Sequence, residues 1–202
     1  MLQKLKLTIR SGATNIVPIR VESALWKYAS ISAVAQSAPL RITVDAAPPD
    51  GWRAAIMNVR AVGAFAAANN PPKDSELRPV TRVDATTIEF NEINGWAFKP
   101  HTGGGQVAYR EPLDLAPYNG VRMDVKTRVD GEPLVSFTLG SGLRLDNATP
   151  AIWFEPTVEQ SRLLAAKTYV FDIELLRTGG GIEAICSAES TLTVLPEITT
   201  TE

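Results

Sequence analysis

Apolar and polar residues alternate along most of this chain in short runs separated by turn residues. Leu5, Leu7 and Ile9 alternate with Lys4, Lys6, Thr8 and Arg10, the period of a strand with one buried face. Ser11-Gly12-Ala13 reads as a turn. A second run from Asn15 to Val21 is interrupted by Pro18, which removes a ladder donor and favours a sheet edge. These two runs are expected to form a hairpin. Further strands are predicted at Ile31–Val34, Leu40–Val44, Trp52–Val59, Val80–Val83, Thr86–Phe90 and Gln106–Tyr109. The breaks between them include Asp45–Gly51 and the paired prolines after Asn70, which block helix and ladder alike. The Ala-rich stretch 61–70 fits a short helix or a loop equally, and Asn91–Phe98 has room for one helical turn.

The central stretch Glu111–Arg128 (EPLDLAPYNGVRMDVKTR) joins an extended entry to a turn and then a strand. In Pro117-Tyr118-Asn119-Gly120 the proline presets φ, and Asn119-Gly120 suits positive φ. Val121, Met123, Val125 and Thr127 then alternate with Arg122, Asp124, Lys126 and Arg128. Beyond this, strands are expected at Pro133–Leu139, Leu143–Leu145, Ala151–Glu155, Tyr169–Leu176, Ile182–Ala188 and Thr191–Leu195. Thr157-Val158-Glu159-Gln160 fits a capping box, so one short helix is predicted from Thr157 to about Ala166. From Pro196 the polar tail is expected to lead away from the domain. Many short strands with turns between them indicate an all-β chain.

Composition narrows the options. A length of 202 residues suits one large domain or two small ones, and 45% hydrophobic content is enough for a core. The formal net charge of −2 gives no basic footprint for nucleic acid. With Cys186 as the single cysteine, neither an intramolecular disulfide framework nor a cysteine-based zinc site is possible. The opening MLQKLKLTIR lacks the apolar stretch of a signal peptide, and no apolar run approaches a membrane span. The chain is therefore expected to be made in the cytoplasm, which is compatible with later delivery in a particle.

The segment Pro112–Glu197 resembles the β-sandwich of tail, baseplate and fibre-attachment proteins of tailed bacteriophages. The matching elements are Leu113-Asp114-Leu115 with Tyr118, Val121–Lys126, Gly142–Asp146, Tyr169–Leu175 and Val194–Thr199. In that family a strand pair precedes the motif, as residues 4–21 do here. The likeness is strongest to the N-terminal, virion-anchoring domain of siphophage upper-baseplate proteins. Residues 25–108 resemble a small β domain of phage structural proteins, related to the first catalytic-cysteine half-domain of ubiquitin-activating enzymes. The marks are Ile42-Thr43-Val44, Asp50-Gly51-Trp52, Val83–Glu89 and Gly103-Gly104-Gly105. The family's His-Gly turn is replaced around Ala46-Ala47, and its Leu-Asn pair after Val62-Gly63 is replaced by alanines. No ubiquitin chemistry is implied, since residues 25–108 contain no cysteine.

Candidate chemistry is sparse. His101, the single histidine, lies beside Pro100 and near three glycines, and reads as an exposed loop residue. Cys186 sits in an alternating strand as a small buried hydrophobe. Asp172 and Glu174 share one strand face, and Glu155 and Glu159 flank the helix. Paired carboxylates can serve glycoside hydrolysis, but with no aromatic platform and fixed partner in evidence these read as a solvated strand face. The runs Gly103–Gly105 and Gly179–Gly181 lack the Gly-Lys-Ser/Thr of a phosphate loop. Trp26, Trp52, Trp96 and Trp153 are expected in the core, with one available as an interface anchor.

The expected fold is thus all-β: an immunoglobulin-like β-sandwich, residues 1–24 with 109–202, carrying an inserted small β-barrel-like domain, residues 25–108, and one short helix. Tyr118, Asn119 and Gly120 form the structural turn, with the Tyr118 hydroxyl on nearby backbone. Leu5, Leu7, Ile9, Pro196 and Ile198 are the interface candidates, since the strand at 4–10 has no proline to blunt its edge. The resemblance implies a virion structural protein whose partners are other virion proteins and copies of itself in a symmetric ring. No enzyme activity, cofactor, metal, nucleic acid or membrane is called for. The alternative is a carbohydrate- or cell-surface-binding β module.

Overall fold

The computed structural model describes residues 4–59, 66–187 and 189–198. Part of the Ala-rich stretch 61–70, together with Val62-Gly63, Ala188 and the end of the tail, lies outside these residues. The chain divides into two compact units, Met1–Val21 with Leu113–Glu202, and Glu22–Pro112.

In chain order the strands are β1 (Lys6–Arg10), β2 (Val17–Arg20), β3 (Glu22–Ala35), β4 (Leu40–Val44), β5 (Arg53–Met57), β6 (Arg78–Pro79), β7 (Thr81–Arg82), β8 (Thr87–Phe90) and β9 (Gln106–Pro112). They continue with β10 (Tyr118–Lys126), β11 (Val135–Leu139), β12 (Gly142–Asp146), β13 (Ala151–Phe154), β14 (Thr168–Arg177), β15 (Ile182–Ala184) and β16 (Ser190–Leu195). One short helix, α1 (Val158–Arg162), lies between β13 and β14. The fold is all-β with one short helix, as the alternating pattern indicates.

In the first unit the strand order is β1-β16-β14-β10-β11-β12-β13-β2, with β15 beside β14. β1 runs parallel to β16, while β16, β14 and β10 are antiparallel neighbours and β13 pairs antiparallel with β2. This is the order of an immunoglobulin-type sandwich. The path folds over a single core. Tyr169, Phe171, Ile173 and Leu175 of β14 enter it together with Val121, Met123 and Val125 of β10, Leu7 and Ile9 of β1, and Ile19 of β2. Phe137 of β11 meets Phe154 of β13 edge to face at 4.9 Å. Each fully buried side chain of this size contributes about 1.5–3 kcal/mol.

The expected β1–β2 hairpin does not form. The two strands occupy opposite ends of the sheet path. Both need a core-facing apolar row, and the partners that supply one lie far along the chain, at Thr191–Leu195 and Ala151–Phe154. Pro18 does lie on an edge strand. Ladder bonds fall on the alternate residues, as the Val21 N–H to Pro150 carbonyl bond shows, so the missing Pro18 donor faces away from β13 and no ladder bond is lost.

The central turn also differs from expectation. Tyr118, Asn119 and Gly120 belong to β10, with a bulge against β14 between Tyr118 and Gly120. Gly120 is not among the positive-φ residues. Space is tight there instead, because a Cβ would lie 2.9 Å from Leu176 Cδ1 and 3.3 Å from Leu176 Cβ. The capping box forms as read: the Thr157 hydroxyl accepts from the Gln160 N–H at 3.1 Å and the Gln160 side chain accepts from the Thr157 N–H at 2.9 Å. The helix stops earlier than expected, at Arg162.

In the second unit the order is β6-β5-β9-β3-β4-β8-β7. β6 and β7 stand at opposite ends of this order yet only Val80 separates them in sequence, so the sheet rolls into a barrel-like form. Val80 is buried and its N–H donates to the Trp52 carbonyl at 2.9 Å. The core gathers Ile31, Ile42, Trp52, Ile56, Phe90 and Val107, among others. Residues 91–98 make turns rather than a helical turn.

Candidate functional site

The charged residues of the sandwich are largely neutralised by their strand neighbours. On the outer face of β10 and β14, Lys126 pairs with Asp172 at 2.8 Å and Arg122 with Glu174 at 2.7 Å. Asp124, buried beside them, accepts from the Ser136 hydroxyl at 2.6 Å. Arg144 binds Glu155 at 2.8 Å. The carboxylates considered for hydrolysis are thus cross-strand partners of cations, except Glu159 in the first turn of α1, whose pKa is lowered by hydrogen bonding at the helix start. A cleft of about 480 Å³ lies beside Gly140-Ser141-Gly142, lined by Leu139, Arg144, Glu155, Thr157 and Gln160. Its polar groups bind one another, with Gln160 donating to the Ser141 hydroxyl at 3.1 Å.

Tyr118 is buried, at 6% exposure. Its hydroxyl donates to Glu183 and accepts from Arg177 at 3.0 Å, and the Arg177 guanidinium lies 4.9 Å from the ring centre. The expected bond to nearby backbone is absent from this residue. Tyr169 makes it instead: its hydroxyl donates to the Ala165 carbonyl at 3.0 Å, the tyrosine corner of the sandwich. The signal was available in sequence, since Tyr169 opens the strand that follows the helix, which is where such a corner stands. The Tyr118 hydroxyl, then Arg177, holds the Glu183 carboxyl below its ordinary range.

Three segments meet at α1, whose Ser161 hydroxyl is buried. The Gly12 N–H donates to Ser161 Oγ at 3.0 Å, and Ser161 Oγ donates to the Val158 carbonyl at 2.8 Å. Arg162 then pairs with Glu197 at 2.7 Å, which lowers the Glu197 pKa. Gly12 takes φ of +69° directly under that carboxylate. The start of the tail is thereby held to the sandwich, with Arg10 donating to the Pro196 carbonyl at 2.9 Å. Exposed apolar side chains mark all three segments: Ile16 after the turn, Leu163 at the end of α1 with 69% exposure, and Ile198 on the tail, 77% exposed.

Of the interface candidates, Pro196 and Ile198 are therefore at the surface. Leu7 and Ile9 are core residues, and Leu5 packs partly buried against the same core. What β1 leaves open on its outer side is its backbone edge rather than these side chains. The absence of a blunting proline points to that edge from sequence, while the strand β1 pairs with does not follow from it.

The remaining candidates are quickly placed. Cys186 is buried, which raises its pKa above the ordinary thiol value. His101 lies half-buried in a loop, its Nε2 2.9 Å from the Gly104 carbonyl. Trp52 is sealed in the second unit's core and donates to the Arg110 carbonyl at 2.7 Å. Trp26 lies under Arg110 and Trp153 under Arg144. Trp96 alone among the four is open, at 68% exposure. Among the described residues no group of three or more His, Cys, Asp or Glu is arranged to hold a metal ion. No helix there is long and apolar enough to cross a membrane.

The sequence matches no protein-family model and no curated protein.

Proposed function

We propose that the chain is a structural component of a bacteriophage tail, a baseplate, collar or fibre-attachment adaptor that acts by protein–protein assembly and not by catalysis. The phage setting comes from the resemblance of residues 112–197 to the tail and baseplate sandwich. The chief structural support is the set of exposed apolar side chains carried by the three segments that meet at α1. Leu163 and Ile198 stand out from a framework that hydrogen bonds hold in place, as an interface anchor requires. Its partners are other virion proteins and further copies of the chain, and its place is the virion.

The test replaces Leu163 and Ile198, together, by aspartate and measures incorporation into particles. Neither side chain contributes to the core, so the double variant should unfold at an unchanged denaturant midpoint yet be lost from particles. Incorporation at the full level counts against assembly through this surface.

A second reading, a carbohydrate- or cell-surface-binding module, is favoured by Trp96, since an open indole is the usual stacking platform for a sugar ring. Titration with oligosaccharides, followed by tryptophan fluorescence in the protein and in Trp96→Ala, separates the two.

A further inference from the structure

The outer edge of the sandwich at β1 carries a short, defined set of unpaired backbone groups. β1 is bonded to β16 through alternate residues, bracketed by the Thr191 N–H to the Leu5 carbonyl at 2.9 Å and the Ser11 N–H to the Leu195 carbonyl at 3.0 Å. In a parallel ladder a residue directs both its N–H and its C=O to the same side. The peptide groups of Lys6, Thr8 and Arg10 therefore point away from β16. Those of Arg10 are already satisfied. Its N–H donates to Asn15 Oδ1 at 2.9 Å, and its carbonyl accepts from Asn15 Nδ2 at 2.8 Å. The Asn15 carboxamide takes the place of one peptide of an adjoining strand. Lys6 and Thr8 have no such cover, and no partner for their peptide groups occurs among the described residues.

The charge on this edge is one-sided. Lys6, Thr8 and Arg10 share the outer face, next to Thr191, Thr193 and Leu195 of β16. Among the described residues neither Lys6 nor Arg10 forms an ion pair, and Arg10 is directed to the Pro196 carbonyl. Glu189, the nearby acid, is engaged by Lys4 at 3.1 Å. A second copy suits this edge poorly, because two antiparallel β1 strands centred on Thr8 would set Lys6 of one against Arg10 of the other. Like charges directly opposite are destabilising.

The geometry points to strand addition at β1 by an extended acidic segment of a different protein, which pairs with the Lys6 and Thr8 peptide groups and places carboxylates beside Lys6 and Arg10. Main-chain bonds supply the docking and the charge selects the partner. Asn15 ends the pairing at Arg10, so the added strand is short. The inference deepens the assembly reading and rests on it for the identity of the partner as a virion protein.

The experiment uses the full chain and two synthetic peptides, acetyl-Val-Glu-Val-Glu-Val-amide and its lysine counterpart, with amide hydrogen exchange as the readout. The acidic peptide should slow exchange at Lys6 and Thr8, with binding that weakens as salt rises. Leu7 and Ile9, already bonded to β16, should change little. Thr8→Pro removes an outward donor and no ladder bond, and should weaken binding by about tenfold or more. Thr8→Val keeps the backbone donor and should bind as the parent does. If Thr8→Pro does not fold, the exchange pattern in the unaltered protein still decides. Equal binding of the lysine peptide, no protection at roughly 1 mM acidic peptide, or dimerisation of the chain through β1 overturns the inference. Such a failure leaves incorporation into particles through Leu163 and Ile198 unaffected, and loss of that incorporation leaves the peptide result standing.

Discussion

The Leu113 N–H donates to the Val21 carbonyl at 3.0 Å. The two points at which the Glu22–Pro112 unit joins the sandwich are thus one hydrogen bond apart. Closing such a gap needs only a short turn, and the entropy of loop closure falls as the loop shortens. Replacing residues 22–112 by a few Gly and Ser residues should leave a soluble sandwich that unfolds cooperatively in urea. An insoluble product, or a broad non-cooperative transition, contradicts independent folding of the sandwich.

Tyr169 and Tyr118 should respond differently to loss of the hydroxyl. Tyr169→Phe removes a neutral bond to the Ala165 carbonyl and should cost about 1 kcal/mol at any pH. Tyr118→Phe should also cost about 1 kcal/mol near neutrality, but its effect depends on the charge of Glu183. The folded-state pKa of Glu183 lies below its ordinary value of 4.5, because the Tyr118 hydroxyl and Arg177 favour the carboxylate. The stability from this group is therefore present above the ordinary value and is lost as pH falls through the folded pKa. The gap between parent and Tyr118→Phe should narrow in acid, while the gap for Tyr169→Phe should not. Denaturation midpoints measured across that range check both.

Gly12 and Gly120 are constrained in different ways, and alanine at each should show it. A Cβ on Gly12 would fall 2.2 Å from the Glu197 carboxylate carbon, on a backbone with φ of +69°. Gly12→Ala should destabilise by about 1–2 kcal/mol through backbone strain, and should also displace Glu197 from Arg162. The Glu197 carboxyl should then titrate nearer its ordinary value, which carboxyl NMR would detect. Gly120→Ala presses mainly on the flexible end of Leu176 and should cost about 1 kcal/mol with no change at Glu197. A Glu197 titration unaffected by Gly12→Ala would contradict the described packing.

Local features were legible in the sequence because they depend on neighbouring residues. The alternation in Tyr169–Leu175 and the reciprocal cap of Thr157 and Gln160 are examples. Pairing between distant segments was not legible. The turn after Arg10 resembles a hairpin turn, yet the core draws β1 to β16 and β2 to β13. Asn-Gly before a strand normally signals positive φ, whereas Gly120 takes no positive φ and instead lies close beneath Leu176. Tyr118 beside a turn looked like a corner tyrosine, but its hydroxyl meets a charged pair contributed by the far end of β14 and by β15. The exposed residues near α1 were half legible. Pro196 and Ile198 are readable as surface residues from the polar tail, while the exposure of Leu163 depends on where α1 ends.

The number of copies per particle tests most directly the proposal that the chain is built into a phage tail. Particles of the parent phage, purified through a density gradient, would be analysed by quantitative mass spectrometry against isotope-labelled peptides from this chain and from a tail protein of known copy number. The expected result is a fixed small-integer ratio that persists through repeated purification, as a closed ring requires. A ratio that falls with each round of purification, or absence of the chain from intact particles, would contradict the account.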